Sequence, residues 1–370
     1  MKKRLKIAIF ESLRLLPGGG QKVIPNVCKY LSQKHDITVF IPKLPENKSD
    51  FGKVKFNLIK PRSRYLTYTG FLAHKLKKSE NFDLIIFGCY PTTFSIFRNS
   101  RYPSIHLTHS PPRFFYDLKK FHLKNSGILG KIKVHIKNIL FKRIDYNAVQ
   151  KVDRILGISK EVQKRIKKYY KRDSNVFYAG IDPEKYREGK YEDYILSVTR
   201  MVKTKRPEVI VKAMGLVKNK KIKMIMVGTG DMDREIREMA RKYPNVEFKG
   251  FVSDEELSKL YSNCLAAVYV PINEDMGFVP MEAGACGKAT IGVNEGGLKD
   301  LIVDGKTGFL IDKITPQKLA DKIDCLANNK NIARKMGKAA KKFTTQFHLE
   351  NTFAVLDKAI EEVMMVKKEN

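Results

Sequence analysis

Short β-rich runs alternate with helix-length amphipathic segments along nearly the whole of this 370-residue chain. Such alternation predicts parallel sheets covered by helices, which is an α/β fold. In the first half the predicted strands are residues 6–10, 37–41, 54–59, 83–87, 104–107 and 154–158. A second series then begins, with predicted strands at residues 194–198, 223–227, 246–248, 265–270, 289–293 and 308–311. The restart predicts two sheets.

The segment between the two series is polar and has no sustained periodicity. Residues 178–190 include Gly180, Pro183 and Gly189, which are typical of a linker. A chain of this length fits two domains, and we predict them at residues 1–185 and 186–348. Because ligands bind beyond the carboxyl ends of strands in open α/β sheets, we expect two Rossmann-like domains with sheets facing a shared cleft.

The charge and composition of the chain limit the classes of partner that it can bind but do not identify one. The formal net charge is +32, which attracts nucleic acid, anionic lipid or phosphorylated substrates alike. No RNA-reading motif with interleaved aromatics is visible, so no nucleic-acid partner is expected, although a basic nucleic-acid-binding protein stays open as an alternative. The chain shows no export signal, and its longest apolar run, 265–272, is shorter than the roughly 20 residues of a membrane span. We expect a cytoplasmic protein.

The most basic stretch of the chain is residues 113–172, with eighteen Lys or Arg against four Asp or Glu. Within it, isoleucines recur at helical spacing beside lysines: Ile128, Ile132, Ile136 and Ile139. This pattern predicts a basic amphipathic helix over residues 127–144. Two interpretations stay open, a core-facing helix with a solvated lysine face and a peripheral docking surface for an anionic membrane.

A glycine loop follows the first predicted strand. Gly18, Gly19 and Gly20 precede a predicted helix, and backbone N–H groups at such a place bind phosphate. The loop lacks the spacing of a GxGxxG or Walker A motif, so a plain tight turn is an equal alternative. Gly19 and Gly20 are candidate nucleotide-sugar contacts.

The densest group of chemically informative residues lies between residues 271 and 304. Glu274 and Glu282 bracket seven residues that include Gly277, after an apolar strand and before the run Glu295-Gly296-Gly297. This order resembles the E-x7-E motif of the retaining glycosyltransferases of family 4, which have the GT-B fold of two Rossmann-like domains. The resemblance covers nearly the whole chain, and it implies that the terminal helix, residues 349–370, crosses back to an acceptor-side first domain.

By this resemblance Glu282 accepts hydrogen bonds from the ribose of a nucleotide-sugar donor. Glu274 is then expected to hold the donor sugar or to stabilise positive charge at its anomeric carbon. An ionised carboxylate only accepts hydrogen bonds, which suits paired hydroxyls. The loop expected beside the diphosphate comprises Met276, Gly277, Phe278 and Val279.

Two basic residues after the strand at 194–198 resemble the diphosphate-binding pair of the family. Arg200 and Lys205 would stabilise the charge of the departing diphosphate without a metal or other cofactor, although a simple basic loop is the alternative. Asp231 and Asp233 also have the spacing of a metal-binding DxD motif, but helix capping explains them better. The resemblance further places beside the nucleotide Gly228, Gly230, Phe251 and Val252.

In the first domain, His109 lies in the polar and aromatic segment 108–117 and resembles the family's donor-sugar histidine. We expect it to contact the transition state, whereas His106 is expected to be structural. Similar segments occur in bacterial and archaeal mannosyl- or rhamnosyltransferases of lipid-linked oligosaccharide assembly. The predicted function is transfer of a hexose-type sugar from a nucleotide-diphosphate sugar to a glycan or lipid-linked acceptor. A nucleotide-sugar epimerase of the same fold is the alternative.

Overall fold

A computed structural model describes residues 4–12, 22–59, 67–119 and 128–369 of the chain, leaving aside the side chains of 67–69, 128–138 and 367–369. The chain divides into two compact units. Met1–Ala179 and Thr352–Asn370 form the first unit, and Gly180–Asn351 form the second. Each unit contains its own sheet and its own buried apolar core.

The sheet of the first unit contains seven parallel strands among the described residues. They are β1 (Lys6–Phe10), β2 (Asp36–Ile41), β3 (Lys55–Leu58), β4 (Leu84–Phe87), β5 (Ser104–Thr108), β6 (Arg154–Gly157) and β7 (Asn175–Val176). Their order is β3-β2-β1-β4-β5-β6-β7. The helices are α1 (Val23–Leu31), α2 (Thr67–Ala73), α3 (Ile96–Asn99), α4 (Ile128–Gln150) and α5 (Lys160–Tyr170). Successive strands are added on one side of β1 up to β3 and on the other side from β4 onward, so the switch point of the sheet lies between β1 and β4.

The sheet of the second unit has six parallel strands and repeats this topology. They are β8 (Tyr194–Val198), β9 (Lys223–Val227), β10 (Val246–Gly250), β11 (Ala266–Tyr269), β12 (Ala289–Val293) and β13 (Gly308–Ile311), in the order β10-β9-β8-β11-β12-β13. The helices are α6 (Pro207–Leu216), α7 (Asp233–Ala240), α8 (Asp254–Asn263), α9 (Val279–Ala285), α10 (Leu298–Leu301), α11 (Pro316–Asn328) and α12 (Lys330–Thr344). This is the doubly wound Rossmann arrangement, with its switch point between β8 and β11.

The predicted alternation is confirmed in both units. Each of the twelve predicted strands is present within a few residues, and the α/β class with two Rossmann-like sheets is correct. Strands such as β12 are buried at every position because helices cover both faces of a parallel sheet. The sequence missed β7, whose two residues are too few for any periodic signal.

Local chemistry fixes several helix starts as predicted. Pro207 and Pro316 occupy the first turns of α6 and α11, where the missing N–H of proline costs nothing. Ser253 accepts a hydrogen bond from the backbone N–H of Glu256 at 3.1 Å and so caps α8. These caps set where the chain turns from a strand edge into a helix.

The last helix, α13 (Leu349–Glu369), lies in the first unit through most of its length. Its Phe353 ring stacks on Tyr30 with centroids 4.0 Å apart, and Tyr30 donates a hydrogen bond to Asp357 at 2.6 Å. Glu362 pairs with Arg154 at 2.6 Å. Aromatic stacking and two polar contacts therefore fasten the end of the chain to α1 and β6.

The predicted basic helix is present as α4, and it extends to Gln150. Its last turns pack inward, since Asp145, Ala148 and Val149 are buried. Ile139, however, is 59% exposed, so it is not the core residue that the core-facing interpretation requires. The side chains of Ile128, Ile132 and Ile136 lie outside the described residues.

Candidate active site

The switch point of the second unit brings two loops side by side. The loop after β8 spans residues 199–206, and the loop after β11 spans residues 270–278. Because β8 and β11 are adjacent parallel strands, both loops leave the sheet at its carboxyl edge. Ligands of doubly wound sheets bind in this crevice.

An ammonium, a carboxylate and a phenol meet between these loops. Lys205 forms an ion pair with Glu274 and donates a second hydrogen bond to the Tyr269 hydroxyl at 2.8 Å. Burial of the ammonium lowers the pKa of Lys205, but attraction from Tyr269 and Glu274 outweighs this and raises the pKa above its usual value. The ammonium therefore stays charged at neutral pH.

A second ion pair fixes the backbone of the Glu274 loop. Arg206 donates to both carboxylate oxygens of Glu295, at 2.9 and 3.1 Å, and also to the Pro271 carbonyl at 3.2 Å. Glu295 in turn accepts a hydrogen bond from the backbone N–H of Asn273 at 3.1 Å. Asn273 has a positive φ of 45°, so this contact helps to hold an unfavourable turn. One guanidinium nitrogen thus reaches both carboxylate oxygens while the other reaches the Pro271 carbonyl, and these charge-assisted bonds restrict the geometry of the clamp.

Backbone contacts join the same loops directly. The Ile272 N–H donates to the Thr204 carbonyl at 2.8 Å, and the Gly297 N–H donates to the Glu274 carbonyl at 2.8 Å. A Cβ at Gly296 would lie 2.2 Å from that carbonyl oxygen, which excludes every larger side chain. The glycines of the predicted Glu-Gly-Gly run therefore pack directly against the backbone of the Glu274 loop.

Two glycines bring the loop after β9 against the loop after β8. Gly228 has φ +120°, and a Cβ there would lie 2.2 Å from the Thr199 carbonyl oxygen. At Gly230 a Cβ would lie 2.5 Å from the Met201 carbonyl oxygen. These glycines serve a close approach of backbones within the candidate site, and nothing larger fits.

Glu282 lies on α9, one turn beyond the loop that carries Glu274. It is 7% exposed, and Tyr186 donates a hydrogen bond to its Oε1 at 3.1 Å. Burial and the nearby Glu282 carboxylate raise the pKa of Tyr186, so the hydroxyl keeps its proton and remains a donor. The tyrosine thereby orients a buried carboxylate, whose oxygens act only as acceptors when it is ionised.

The turn between the two glutamates packs on the end of β11. Gly277 has φ +100°, and a Cβ there would lie 2.9 Å from the Tyr269 ring. Met276 and Val279 are buried, while Phe278 is half-buried at the start of α9. The residues between Glu274 and Glu282 therefore form a compact turn, and this turn requires a glycine at position 277.

The structure brings together most of the residues predicted for the second unit. Arg200 is exposed on the loop after β8 and lies within electrostatic reach of the Tyr269 hydroxyl. Val252 is buried beyond the end of β10, and Phe251 is 80% exposed beside it. The Gly228 N–H donates to the Gly250 carbonyl at 2.7 Å, which places this strand end next to the glycine turn.

Asp231 and Asp233, which have the spacing of a DxD motif, lie just before α7 and in its first turn. Asp233 lies in the first turn of α7 and pairs with Arg237 at 2.8 Å, and Asp231 is exposed. Across the four described ranges, no group of three or more His, Cys, Asp or Glu side chains is arranged to hold a metal ion. The predicted capping is wrong, because Met232 occupies the N-cap and no side chain caps α7; Asp233 instead lies in the first turn, where a negative charge is favoured by the helix dipole.

In the first unit, His109 follows β5 at the carboxyl edge of the sheet and is half-buried. His106 is buried within β5, where its Nδ1 lies 3.3 Å from the Phe87 carbonyl oxygen, as expected for a structural histidine. Burial lowers the pKa of His106 to about 4. Gly19 and Gly20 lie outside the described residues.

Sequence reasoning missed the side chains that orient the predicted ones. Tyr269 and Tyr186 were not singled out, and nothing in the sequence linked Arg206 to Glu295 across 89 positions. Arg206 adopts φ +52° immediately before Pro207, at the start of α6. Its side chain is thereby turned toward the neighbouring loop.

Comparison with known proteins assigns the chain to a family. Residues 17–185 match the family model described as Glycosyltransferase Family 4, and residues 180–343 match the model described as Glycosyl transferases group 1. The chain belongs to the family 4-type glycosyltransferases. It is therefore a transferase enzyme, and the resemblance inferred from its two glutamates is confirmed.

Relatives and solved structures agree with this assignment. An uncharacterised glycosyltransferase of Methanocaldococcus jannaschii is 28% identical over 63% of this chain and 67% of its own length, and a second from that organism is 25% identical over 92% and 94%. Anabaena HepE, solved with UDP and glucose, has a TM-score of 0.78 at 17% identity, over 97% of this chain and 100% of HepE. Sucrose-phosphate synthase of Thermosynechococcus elongatus has a TM-score of 0.78 at 16% identity, over 98% and 100%. These structures show the GT-B fold.

No helix within the described ranges of this glycosyltransferase is both long and apolar enough to span a bilayer. The roles assigned to individual site residues stay predictions from the resemblance and from the geometry above. That geometry is concentrated at one edge of the second sheet.

Proposed function

We propose that this glycosyltransferase moves a hexose-type sugar from a nucleotide-diphosphate sugar to a glycan or lipid-linked oligosaccharide acceptor. The proposed reaction retains the anomeric configuration and uses no metal. The observation that carries the proposal is the cluster of Lys205, Glu274 and Tyr269 at the switch point of the second sheet. HepE, which shares the fold, was solved with UDP, with UDP and glucose, and with UDP-glucose, and this supports a nucleotide sugar as donor.

Glu282 is proposed to bind the ribose of the donor. Its Oε1 accepts a hydrogen bond from the Tyr186 hydroxyl, which orients a carboxylate whose acceptor-only oxygens suit the paired hydroxyls of a ribose. Hydrogen bonds to a charged group are worth about 1.5–3 kcal/mol each in net stability. Glu282 thus has both the orientation and the chemistry of a donor-binding residue.

Lys205 and Arg200 are proposed to bear the charge of the leaving diphosphate. As the bond from the anomeric carbon to the diphosphate oxygen breaks, negative charge collects on that oxygen, and a fixed ammonium stabilises it. Contacts with Tyr269 and Glu274 raise the pKa of Lys205, so the ammonium is charged when the donor binds. The exposed guanidinium of Arg200 can form two parallel hydrogen bonds to a phosphate.

Glu274 is proposed to act on the sugar. When the diphosphate takes over part of the pairing with Lys205, the carboxylate is available to hold a sugar hydroxyl or to stabilise positive charge at the anomeric carbon. The acceptor oxygen then bonds to that carbon on the face from which the diphosphate leaves, and its proton passes to the departing diphosphate oxygen. No protein nucleophile is required.

A thermal-shift screen tests the donor class. UDP, GDP and ADP, each alone and as sugar conjugates, are added to the purified enzyme, because a ligand at 100 times its Kd adds about 2.7 kcal/mol of stability. We expect one base to raise the Tm clearly, and Glu282→Ala to abolish this shift while the surface variant Glu256→Ala keeps it. If no nucleotide shifts the wild-type enzyme, the proposal fails.

Product analysis then tests the reaction itself. With the identified donor and an acceptor library, the anomeric coupling constants of the product should match those of the donor sugar, and turnover should persist in excess chelator. Incubation with donor alone separates the alternatives, since an epimerase would convert the sugar without an acceptor. Inversion of configuration or loss of activity in chelator would each overturn the corresponding part of the proposal.

A further inference from the structure

One surface of the first unit combines exposed aliphatic side chains with lysines that lie over aromatic rings. Ile139 and Leu140 are 59% and 57% exposed on α4, and Lys142 follows them on the same helix. Tyr116 and Tyr169 line one cavity together with Ile139 and Lys142, and Leu140 is the neighbour of Ile139 in the chain. We call the residues Tyr116, Ile139, Leu140, Lys142, Lys168 and Tyr169 the α4–α5 surface. Adjacent large aliphatic groups in solvent are unfavourable unless a partner covers them.

The two lysines of this surface are held in place by aromatic rings. Tyr116 and Tyr169 stack with centroids 4.3 Å apart and planes 17° apart, which leaves no room for an ammonium between them. Lys142 Nζ lies 4.7 Å from the Tyr116 centroid, and Lys168 Nζ lies 5.3 Å from that of Tyr169. The lysines therefore cover the outer faces of the stacked pair, and cation–π attraction fixes their ammonium groups.

An open cavity of about 520 Å³ is lined by all of these residues except Leu140, and by Lys119. The acidic lining residue, Asp117, is neutralised by Arg113 at 2.8 Å. Three lysines therefore give the cavity a net positive lining. The surrounding segment, residues 113–172, carries eighteen basic against four acidic residues. Charge complementarity thus requires an anionic partner.

We propose that the α4–α5 surface docks the enzyme on an anionic lipid bilayer, with Ile139 and Leu140 entering the interface and the lysines contacting lipid phosphates. Aliphatic side chains bordered by basic ones are the composition of interfacial helices. Each basic residue near an anionic bilayer contributes about fivefold in affinity. The proposal does not depend on which sugar the enzyme transfers.

The geometry disfavours a nucleic-acid partner for this surface. Single-stranded nucleic acid binds by stacking bases on free aromatic faces. Here both faces of Tyr116 and Tyr169 are covered, by each other and by Lys142 and Lys168. Exposed isoleucine and leucine have no role in base stacking, but they gain free energy on entering the acyl region of a bilayer.

Vesicle co-sedimentation of the full-length enzyme tests the proposal. The protein is mixed with vesicles of phosphatidylcholine alone or of phosphatidylcholine with phosphatidylglycerol. We expect binding to the anionic vesicles and little to the neutral ones, with binding weakened by salt. Absence of binding to anionic vesicles, or equal binding to both kinds, overturns the proposal.

Two double variants locate the surface. Lys142→Glu with Lys168→Glu should weaken vesicle binding by about tenfold or more, and Ile139→Ser with Leu140→Ser by about tenfold. Matched controls on the second unit, Lys335→Glu with Lys338→Glu and Leu216→Ser with Val303→Ser, remove the same charge and comparable exposed apolar groups. If the controls weaken binding equally, general charge or apolar area is responsible and the proposal is wrong.

Two further measurements separate this proposal from others. The nucleotide-induced thermal shift should be unchanged in the Lys142/Lys168 and Ile139/Leu140 variants, which shows that folding and donor binding are intact. Competition with single-stranded RNA should leave the Ile139/Leu140 dependence of vesicle binding in place. If the wild-type enzyme binds RNA and not vesicles, and the lysine variant loses RNA binding, the surface is a polyanion site and the bilayer proposal fails.

Discussion

At the switch point of the second unit, the loops after β8 and β11 are joined by Lys205, Glu274 and Tyr269. At the corresponding point of the first unit, β1 is followed by Glu11 and β4 by Gly88. Glu11 is 5% exposed, and a Cβ at Gly88 would lie 2.1 Å from its Oε2. The two sheets share one strand order up to the sixth strand, yet their carboxyl edges carry different chemistry.

The charged side chains at the two edges differ in their exposure to solvent, and this decides whether a ligand can reach them. The side chains of Lys205 and Glu274 remain 11% and 22% exposed, so a ligand can reach the ion pair and exchange partners with it. The Glu11 carboxylate is enclosed by backbone and accepts the Ser12 N–H at 2.8 Å. Topology therefore positions both edges, and within the described ranges it is the second edge whose loop side chains form an ion pair that a ligand can reach.

The largest effect is expected from removing that charge. Lys205→Met should lower kcat by roughly 10²–10³, because a fixed cation at the developing diphosphate charge is lost. Lys203→Met, an exposed lysine on the same loop, is the matched control and should leave kcat nearly unchanged. Steady-state kinetics with the identified donor checks this. Equal losses in both variants would mean that the loop's overall charge matters and that the position of Lys205 does not.

Close backbone packing at the second edge predicts a large loss of stability. Gly228→Ala should cost about 3 kcal/mol, since φ +120° is strained for alanine and its Cβ would meet the Thr199 carbonyl. Gly250→Ala should cost about 1 kcal/mol, because its φ is +65° and its Cβ meets no atom within 4 Å. Denaturant titrations measure both. Similar costs would show that backbone conformation alone is limiting.

His109 of the first unit is expected to act on turnover and not on donor affinity. His109→Ala should lower kcat by about 10² while the nucleotide-induced thermal shift stays as in the wild-type enzyme. Glu282→Ala should do the reverse and chiefly weaken donor binding. This pair of variants tests whether the roles are divided, with His109 serving turnover and Glu282 serving donor binding. A His109 variant that loses the thermal shift would contradict the division.

The Arg206–Glu295 clamp should have a smaller, kinetic effect. Glu295→Gln removes the charge that holds Arg206 and loosens the turn at Asn273, so kcat should fall about tenfold with donor KM little changed. The control is Asp233→Asn, which breaks the ion pair with Arg237 on α7. A rise in KM alone would show that the clamp serves binding and has no part in loop geometry.

The last effect concerns the pH dependence of stability and the core of the first unit. Burial raises the pKa of Asp145 to about 7, although the hydrogen bond that Tyr170 donates opposes this. Between about pH 4 and 7 the unfolded chain loses this proton while the folded chain keeps it, so stability falls as pH rises. Asp145→Asn should flatten that slope in urea titrations. An unchanged slope would place the titration elsewhere.

Much of the fold followed from local pattern. The strands at Lys6–Phe10 and Tyr194–Val198 were predicted to the residue, because β-rich runs bounded by turns reflect burial in a parallel sheet. Glu274 and Glu282 were singled out by their spacing together with the apolar strand before them, Gly277 between them and the Glu295-Gly296-Gly297 run after them. Their partners Tyr269 and Tyr186 were not, since contact between them depends on which strands are neighbours and on how each loop turns.

The sequence by itself determined two doubly wound sheets, the positions of their strands and the motif that marks the family, because periodicity and turn residues act over short stretches of chain. The tertiary structure decided that Arg206 meets Glu295, that Gly228 admits the Thr199 backbone, and that Ile139 faces solvent. These depend on strand order and on packing between segments far apart in the chain, which no local pattern encodes.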